Sequence, residues 1–333
     1  MGLIAIAANP ASGRDIRRLV SSATVYSNRE KTNTIERIIL AACQLGKHKV
    51  MIMPESYYFG EQIIKKLEKD LKEIAAGTII IPDLPVTDSL MDTCNFAGYA
   101  KEQGASVLIV MGGDGTSRAA AKSGSEVPLI SLSTGTNNVF PEMAEGTIVG
   151  MAASALADGT ALSGECCSRC KQIEIFKNGE LADIALVDAV FSGYTYSGSK
   201  AIWSREDIHR VIASRCHPAS IGFSSLLGGI FTITPEDDFG AVTDCASGEP
   251  NLRTALAAGV ITPFRLENAR KIPINETVTW VMDRVGMIAL DGEREVRWEN
   301  GDEIGIRITR NGPIRVNLYQ ALESAQRNGY FKM

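Results

Sequence analysis

The chain has 333 residues, of which 45% are hydrophobic and 22% charged, a composition typical of a globular protein with room for two domains. Its formal net charge is −5 and no block of lysine and arginine stands out, which argues against a nucleic-acid partner. No apolar run reaches the ~18 residues that predict a membrane span. The N-terminal stretch MGLIAIAANP lacks a charged start and a cleavage site, so we expect no signal peptide and a cytoplasmic location.

The first ~140 residues alternate between strand and helix patterns. Ile35, Ile38, Ile39 and Ala42 share one helical face, and Gly46 ends that helix. Short runs that are apolar at every position, separated by helices, predict a parallel sheet covered on both faces. Ligands of such sheets bind beyond the carboxyl ends of the strands. The predicted strands are 3–8, 49–54, 78–82, 106–113 and 127–135, and the predicted helices are 33–46, 59–77, 87–104 and a short one from Thr116.

The remainder of the chain is predicted to be rich in β-strands. Asn178-Gly179 between two apolar runs is a strong hairpin signal, and residues 319–331 have a helical pattern. We predict an α/β domain over 1–145, completed by about 315–333, and a β-rich substrate domain over 146–314. Residues 204–229 are predicted as a loop or a short helix. The further predicted strands are 228–235, 277–283, 286–293, 295–298, 303–312 and 313–319.

The stretch VLIVMGGDGTSRA (107–119) places three glycines around one carboxylate at the end of a buried strand. Gly112, Gly113 and Gly115 let an anion approach the backbone closely, and Thr116 lies where a helix is predicted to begin. Asp114 would repel phosphate unless it holds Mg²⁺, orients a hydroxyl or takes its proton. The alternative is a tight turn that carries an exposed aspartate.

Two other loops that follow predicted strands are also small and rich in donors. In NPASGRD (9–15), Ser12 and Gly13 offer hydroxyl and backbone donors, and in STGTNN (133–138) Gly135 lies between hydroxyl side chains. Each could be a simple exit from a strand. Three such loops on one sheet together indicate a site for nucleotide phosphate.

Several other signatures are absent or weak. GYTYSGSK (193–200) approaches a Walker A pattern, but its lysine stands one place too late, and no GxGxxG follows a strand. The cluster CCSRC contains Cys166, Cys167 and Cys170, and none of the three histidines lies at ligand spacing to it. We interpret these cysteines as half-buried thiols rather than as a metal or redox site, and we assign no metal-ligating residue.

The GGDGT motif is accompanied by NPxSG upstream, by GTxN downstream and by Asp291-Gly292 late in the chain. With this set of motifs, the chain resembles the superfamily of NAD kinases and diacylglycerol- or sphingosine-type lipid kinases. It looks most like the ATP-NAD kinase branch that includes the acetoin catabolism X proteins. The resemblance spans essentially the whole chain. It implies an α/β domain followed by a β-sandwich-like domain, with ATP and Mg²⁺ bound in the cleft between them. By the same analogy a homo-oligomer is expected.

The resemblance also implies residue roles. Asp114 would orient or deprotonate the acceptor hydroxyl, and Asp291 would assist Mg²⁺ or the phosphates. The residues implied to contact the nucleotide are Asn9, Ser12 and Gly13 of the first loop, Gly112, Gly113, Gly115 and Thr116 of GGDGT, and Thr136 and Asn137 of the third loop.

Two departures from the family pattern leave the acceptor open. NAD kinases usually carry an Asn-Glu pair that grips the dinucleotide, and Val187 and Asp188 stand in that place here. Asp188 can still accept a hydrogen bond from a ribose or an adenine amine, whereas the side chain of Val187 can neither donate nor accept. In the second departure, GTNNVFP differs from the GxNxGxLGF form of NAD kinases, because Val139 and Phe140 replace its glycine-spaced tail. The open alternatives are a kinase for the NAD 2′-hydroxyl, a kinase for a lipid or another small hydroxylated metabolite, and a non-catalytic nucleotide-binding accessory protein.

Overall fold

A computed structural model describes residues 2–12, 26–70, 77–135, 137–193 and 207–332. Its helices are α1 (Asn28–Leu45), α2 (Phe59–Asp70), α3 (Leu90–Glu102), α4 (Asp114–Gly124), α5 (Gly146–Ala157), α6 (Ser163–Cys166), α7 (Ser224–Gly228) and α8 (Leu318–Arg327). The strands of the first sheet are β1 (Leu3–Ala8), β2 (Lys49–Ile52), β3 (Ile79–Ile80), β4 (Val107–Gly112), β5 (Leu129–Ser133), β6 (Cys167–Arg169) and β18 (Ile314–Val316).

The first sheet forms the centre of an α/β layer, with the strand order β3-β2-β1-β4-β5-β18-β6. Its first five strands are parallel. Ile4 and Ile6 pack into the core beneath α1, α5 and α8, whereas Ala5 and Ala7 pack into the core beneath α3 and α4. Both faces are therefore covered, and the predicted parallel sheet is confirmed.

The C-terminal segment belongs to the same layer. Strand β18 pairs parallel with β5 and antiparallel with β6, and α8 packs against α5. Helix α5, which begins at Gly146, packs extensively against α1. These contacts favour a domain boundary beyond residue 157, and the position of that boundary stays a prediction.

The β-rich part consists of two antiparallel sheets packed face to face. Ile173 and Ile306 from one sheet and Phe191 and Ile288 from the other meet in a single core, as in a β-sandwich. One sheet has the order β12-β13-β11-β10-β9-β15-β16 and the other β14-β17-β7-β8. The strands are β7 (Gln172–Lys177), β8 (Glu180–Ala185), β9 (Asp188–Ser192), β10 (Ile208–Ala213), β11 (Phe239–Ala246), β12 (Leu252–Ala257), β13 (Val260–Pro273), β14 (Thr277–Val281), β15 (Gly286–Leu290), β16 (Glu293–Trp298) and β17 (Glu303–Thr309).

The predicted hairpin at Asn178-Gly179 is confirmed, because β7 and β8 pair across it and both turn residues have positive φ. The predicted strand 228–235 is wrong. Helix α7 ends there at Gly228, and the residues that follow contribute only an isolated bridge from Ile233 to Cys216. Strands β6, β10, β11, β12 and β13 were not predicted, and β10 lies within residues 204–229, which were predicted as a loop or a short helix.

Helix α1 begins five residues before its predicted start. The Ser27 hydroxyl accepts a hydrogen bond from the Glu30 amide, which caps the helix at a Ser-x-x-Glu sequence. Helix α4 begins at Asp114 rather than Thr116. The predicted inward residues Leu71 and Ile74 lie outside the described residues.

Candidate functional site

Three loops meet at the carboxyl ends of the neighbouring strands β1, β4 and β5. The Asn9 Nδ2 atom lies 3.4 Å from Thr116 Oγ1. The Thr134 hydroxyl donates to Ser12 Oγ at 3.1 Å, and the Thr134 amide donates to the Gly112 carbonyl at 3.2 Å. The structure thus brings together the loops that the sequence singled out, although Gly13 and Thr136 lie outside the described residues.

Asp114 lies at the centre of this arrangement, as the first residue of α4. Its Oδ1 accepts the Phe140 amide at 2.7 Å and the Val139 amide at 3.1 Å. Oδ2 lies 3.2 Å from the same Val139 nitrogen. The carboxylate is half-buried and held by a neighbouring loop. The alternative interpretation, a tight turn that carries an exposed aspartate, therefore does not describe Asp114.

The environment of Asp114 favours its neutral form. Burial, followed by the charge of Asp291, raises the pKa of Asp114 to about 7, while the amides of Phe140 and Val139 and the charge of Arg215 lower it. A carboxyl group whose pKa lies near neutrality can exchange a proton at working pH, which is the requirement for general-base catalysis.

The first loop is held by a buried lysine. The Lys31 side chain is fully buried, and Nζ donates to the carbonyls of Asn9, Pro10 and Ser12 at 2.9, 3.2 and 2.8 Å. The Ala11 amide donates to Asn9 Oδ1, and the Ser12 amide donates to the Asn9 carbonyl. The described main chain of this loop is therefore bonded internally, so a ligand would meet its side chains first.

Gly112 and Gly113 allow close approach between the loops. A Cβ atom on Gly112 would overlap Cβ and Oγ1 of Thr116, and one on Gly113 would lie 3.0 Å from Asn138 Oδ1. Thr116 is itself only 4% exposed, so its hydroxyl lies beneath the loop. Asn138 Nδ2 also donates to Ser133 Oγ at 2.7 Å, whereas the predicted Asn137 is half-buried beside it.

Replacement of Gly112 by alanine is expected to destabilise the protein by about 1–3 kcal/mol, because the added methyl group must displace Thr116. Urea denaturation measures this loss. Gly164→Ala is the matched control, since its Cβ would meet nothing within 4 Å, and equal behaviour of the two variants would contradict the expectation.

The carboxylate of Asp291 is committed to the backbone of the β-rich part. It accepts the amides of Leu186, Val187 and Asp188 at 2.8, 2.8 and 3.1 Å, and its side chain is fully buried. Burial raises its pKa, against the lowering effects of Arg118 and of these amides. Its implied assistance to Mg²⁺ or phosphate stays a prediction, and it would require a change in these bonds.

The two residues at the altered family position lie beside Asp291. Val187 is 1% exposed and packs into the apolar core beneath α3 and α4, so its side chain has no route to a ligand in this arrangement. Asp188 is 7% exposed, and its carbonyl accepts the Asp291 amide at 3.0 Å. The described contacts of Val187 are thus structural, and nucleotide contact by Asp188 stays a prediction.

Arg118, one turn into α4, links the two parts of the molecule, and the sequence interpretation missed it. Its side chain is 1% exposed. The guanidinium lies 3.3 Å from Asp183 on β8, 2.9 Å from Glu295 on β16 and 4.0 Å from Asp291. The helix that carries Asp114 is therefore anchored to the β-rich part by buried charges.

A cavity of about 300 Å³ adjoins the first loop. Asp92 and Thr93 of α3 both line it. Glu55, also in the lining, accepts the amides of Tyr57 and Phe59. The full lining is Asn9, Pro10, Ala11, Asn28, Met53, Glu55, Ser56, Tyr57, Asp88, Ser89, Asp92 and Thr93.

The cysteine cluster has the properties of packed thiols. Cys166 and Cys170 are buried and Cys167 is half-buried. Burial raises the pKa of Cys167 to about 12 and also raises that of Cys166, which keeps both thiols protonated and weakly nucleophilic.

Metal-binding residues and membrane-spanning helices were sought over the described ranges. These ranges contain no group of three or more histidine, cysteine or acidic side chains placed to hold a metal ion. No helix among them has the length and apolar character that crossing a bilayer requires.

Comparison with known proteins assigns the two halves of the chain to two family models. Residues 4–160 match the ATP-NAD kinase N-terminal domain, and residues 171–311 match the acetoin catabolism protein X C-terminal domain. Acetoin catabolism protein X of Cupriavidus necator is 31% identical over 98% of this chain and 93% of its own length. The chain belongs to the acetoin catabolism protein X family.

The fold of this acetoin catabolism protein X family member is similar to that of a solved kinase. Yeast NADH kinase complexed with NADH matches with a TM-score of 0.55 at 13% identity, covering 100% of this chain and 88% of that one. An NAD kinase from Archaeoglobus fulgidus in complex with ATP matches with a TM-score of 0.44 at 10% identity, over 97% of this chain and 98% of that one. The predicted family and fold class are confirmed, and the chain has the architecture of a kinase-type nucleotide-binding protein.

Proposed function

We propose that the chain is an ATP-dependent kinase that transfers the γ-phosphoryl group to a hydroxyl, with the 2′-hydroxyl of NAD as the first candidate acceptor. The observation that carries the proposal is Asp114, a carboxylate held by two amides where three donor-rich loops meet, with a pKa of about 7. The related NADH kinase fold supports it.

In the proposed reaction Asp114 accepts the proton of the acceptor hydroxyl. The acceptor oxygen forms a bond to the γ-phosphorus while the bond from that phosphorus to the β–γ bridging oxygen breaks, and ADP leaves. Phosphoryl transfer of this kind depends mainly on positioning and on charge stabilisation. The first-turn amides of α4, which have no acceptor within the helix, supply donors beside the transferred group.

The cavity beside the first loop is proposed to take the nucleoside end of ATP. Its volume of about 300 Å³ lies at the lower end of ligand pockets. The carboxylates of Glu55, Asp88 and Asp92 in its lining repel phosphate but can accept hydrogen bonds from ribose hydroxyls or an adenine amine. This charge distribution directs the phosphates away from the cavity and towards the GGDGT loop.

Mg²⁺ is proposed to enter on the nucleotide rather than to reside in the protein. Mg²⁺ keeps several waters and binds through substrate phosphates with one or two carboxylates, and the described residues form no dedicated set of ligands. When bound, it neutralises charge on the phosphate oxygens.

The proposal includes two further properties. The protein is proposed to be a homo-oligomer, which light scattering tests, and to be cytoplasmic, which cell fractionation tests.

A second candidate function is a non-catalytic, nucleotide-binding accessory protein of a catabolic pathway. The burial of Val187 favours it, because a residue that grips the dinucleotide in NAD kinases is replaced here by a core side chain. In that case ATP binds tightly and no acceptor is phosphorylated.

The deciding experiment incubates purified protein with ATP, Mg²⁺ and NAD and detects NADP by mass spectrometry. Formation of NADP supports the NAD kinase function. ATP binding without NADP moves the search to small hydroxylated metabolites and to lipids presented in vesicles. ATP binding with no turnover of any acceptor favours the accessory function.

The pH dependence of turnover should report the ionisation of Asp114. Its base form exists above its pKa of about 7, so kcat/KM is expected to rise about tenfold per pH unit below neutrality and to level off above it. Rates between pH 5.5 and 9, with Mg²⁺ in excess, measure this profile. A profile that stays flat from pH 5.5 to 7 would contradict a base of this pKa.

A further inference from the structure

Arg215 is a buried cation that the proposed reaction does not use. It follows β10 and is 4% exposed, and among the described residues none of its guanidinium nitrogens has an oxygen or nitrogen acceptor. The groups that face it include the thiol of Cys170 and the like charge of Arg315. Buried charges in proteins are normally paired, because desolvation of an unpaired ion costs several kcal/mol. The position of this side chain therefore needs a physical reason.

The neighbour of Arg215 is the loop that holds Asp114. The guanidinium carbon lies 5.0 Å from the centre of the Phe140 ring, within the range of a cation–π interaction, which is stronger when desolvated. The Phe140 amide in turn donates to Asp114 Oδ1 at 2.7 Å. Arg215 therefore contacts, through one side chain, the backbone that fixes the carboxylate.

Arg215 is itself fixed from the β-rich part of the molecule. The neighbouring Ser214 donates through its amide to the Val187 carbonyl at 2.9 Å and through its hydroxyl to the Leu186 carbonyl at 2.6 Å. Since the amides of residues 186–188 also bind Asp291, Arg215 reaches from the segment that binds the Asp291 carboxylate to the segment that carries Phe140.

We propose that Arg215 is a positioning residue for Asp114: it fixes Phe140, whose amide holds the carboxylate, and it supplies the positive charge that faces this carboxylate from the β-rich part. Asp291 faces Asp114 with a negative charge, and Arg118 faces Asp291. Glu293 lies beside Gly115, one residue along from Asp114. Arg215 thus opposes the acidic groups around Asp114, and its charge favours the ionised form of the carboxylate.

The role of Asp114 as a base rests on the proposed function, so the test needs a readout that does not depend on turnover. ¹³C NMR of the aspartate carboxyl groups, with the Asp114 signal assigned by its loss in Asp114→Asn, follows the ionisation directly. The titration is recorded for the wild type, Arg215→Met, Arg215→Lys and Phe140→Leu. Arg315→Met is the matched control, because Arg315 lies 5.5 Å from the same ring but is paired with Glu142 at 3.6 Å.

Arg215→Met is expected to raise the Asp114 midpoint by about one pH unit or more, the scale of a lost neighbouring charge. Phe140→Leu should raise it by less, and Arg315→Met should leave it unchanged. Where the acceptor is known, kcat/KM should shift to higher pH in Arg215→Met while KM for ATP stays the same.

An unchanged Asp114 midpoint in Arg215→Met would overturn the proposal. If that variant does not fold, an unchanged midpoint in Phe140→Leu would do so, because Arg215→Lys keeps the positive charge and is expected to leave the midpoint close to that of the wild type. A raised KM for the acceptor without a shift in the midpoint would also overturn it, since Arg215 would then bind an anionic group of the substrate. A wild type without turnover, whose midpoint still shifts in Arg215→Met, would reject the kinase function and keep the positioning role.

Discussion

Replacement of Asp114 by asparagine is expected to lower kcat by about 10²-fold or more, the scale on which general-base catalysis acts. Asparagine has nearly the same shape, and its Oδ1 atom can still accept the Phe140 amide that Asp114 accepts at 2.7 Å. The fold and the loop should therefore persist. ATP affinity should be unchanged or higher, because a negative charge beside the phosphates has been removed.

Turnover by mass spectrometry and ATP affinity by calorimetry separate these two effects. Asp283→Asn is the control, since that side chain is 81% exposed and pairs with a neighbouring exposed arginine. Near-wild-type turnover in Asp114→Asn would remove Asp114 from the chemistry. A parallel loss of turnover and of ATP affinity would instead assign it to the architecture of the loop.

Replacement of Arg118 by methionine is expected to lower the free energy of unfolding by about 3–5 kcal/mol, the usual cost of removing one partner from a buried group of charges. Asp291, with a fully buried side chain, loses its nearby cation, and Asp183, with 10% side-chain exposure, keeps only Lys122. Methionine retains most of the apolar contact of the arginine stem, so the loss reports the charge.

Urea denaturation compares this variant with Arg297→Met. Arg297 forms an exposed pair with Glu299, with 60% and 53% side-chain exposure, and such pairs contribute about 1 kcal/mol or less. Arg118→Met should therefore be clearly the less stable of the two. A double-mutant cycle with Asp183→Asn should give a coupling energy, and its absence would contradict a buried network.

The main features of the α/β layer were predictable from the sequence because each carries a local signal. Strands β1 and β4 are continuous apolar runs, β5 alternates leucine and isoleucine with serine, and each is followed by glycines or small polar residues. A parallel sheet then dictates that their carboxyl ends lie together. Asp114 stood out for the same reason, as the single carboxylate among glycines after a buried strand.

The remainder depended on contacts between residues far apart in the chain. Arginine is normally found at the surface, so the sequence does not mark Arg118 or Arg215 as buried. Both side chains are buried by the packing of the β-rich part against α4 and the third loop. Strands β11, β12 and β13 combine polar and apolar positions irregularly, and bulges interrupt their pairing, so no clean alternation marks them. The buried Lys31 was missed because a lysine in a helix is normally exposed.

The insertion of β18 beside β5 has a consequence for biosynthesis. Residues 314–316 complete a sheet that begins at Leu3, so a ribosome must translate nearly the whole chain before β5 gains its neighbour. Until then the start of β5, where Leu129 pairs with Arg315, lacks its partner, whereas Ser131 and Ser133 already hydrogen-bond with Glu142. The sheet that is synthesised first is thus completed late, and the edge near Leu129 is the part of it that can pair with another chain in the meantime.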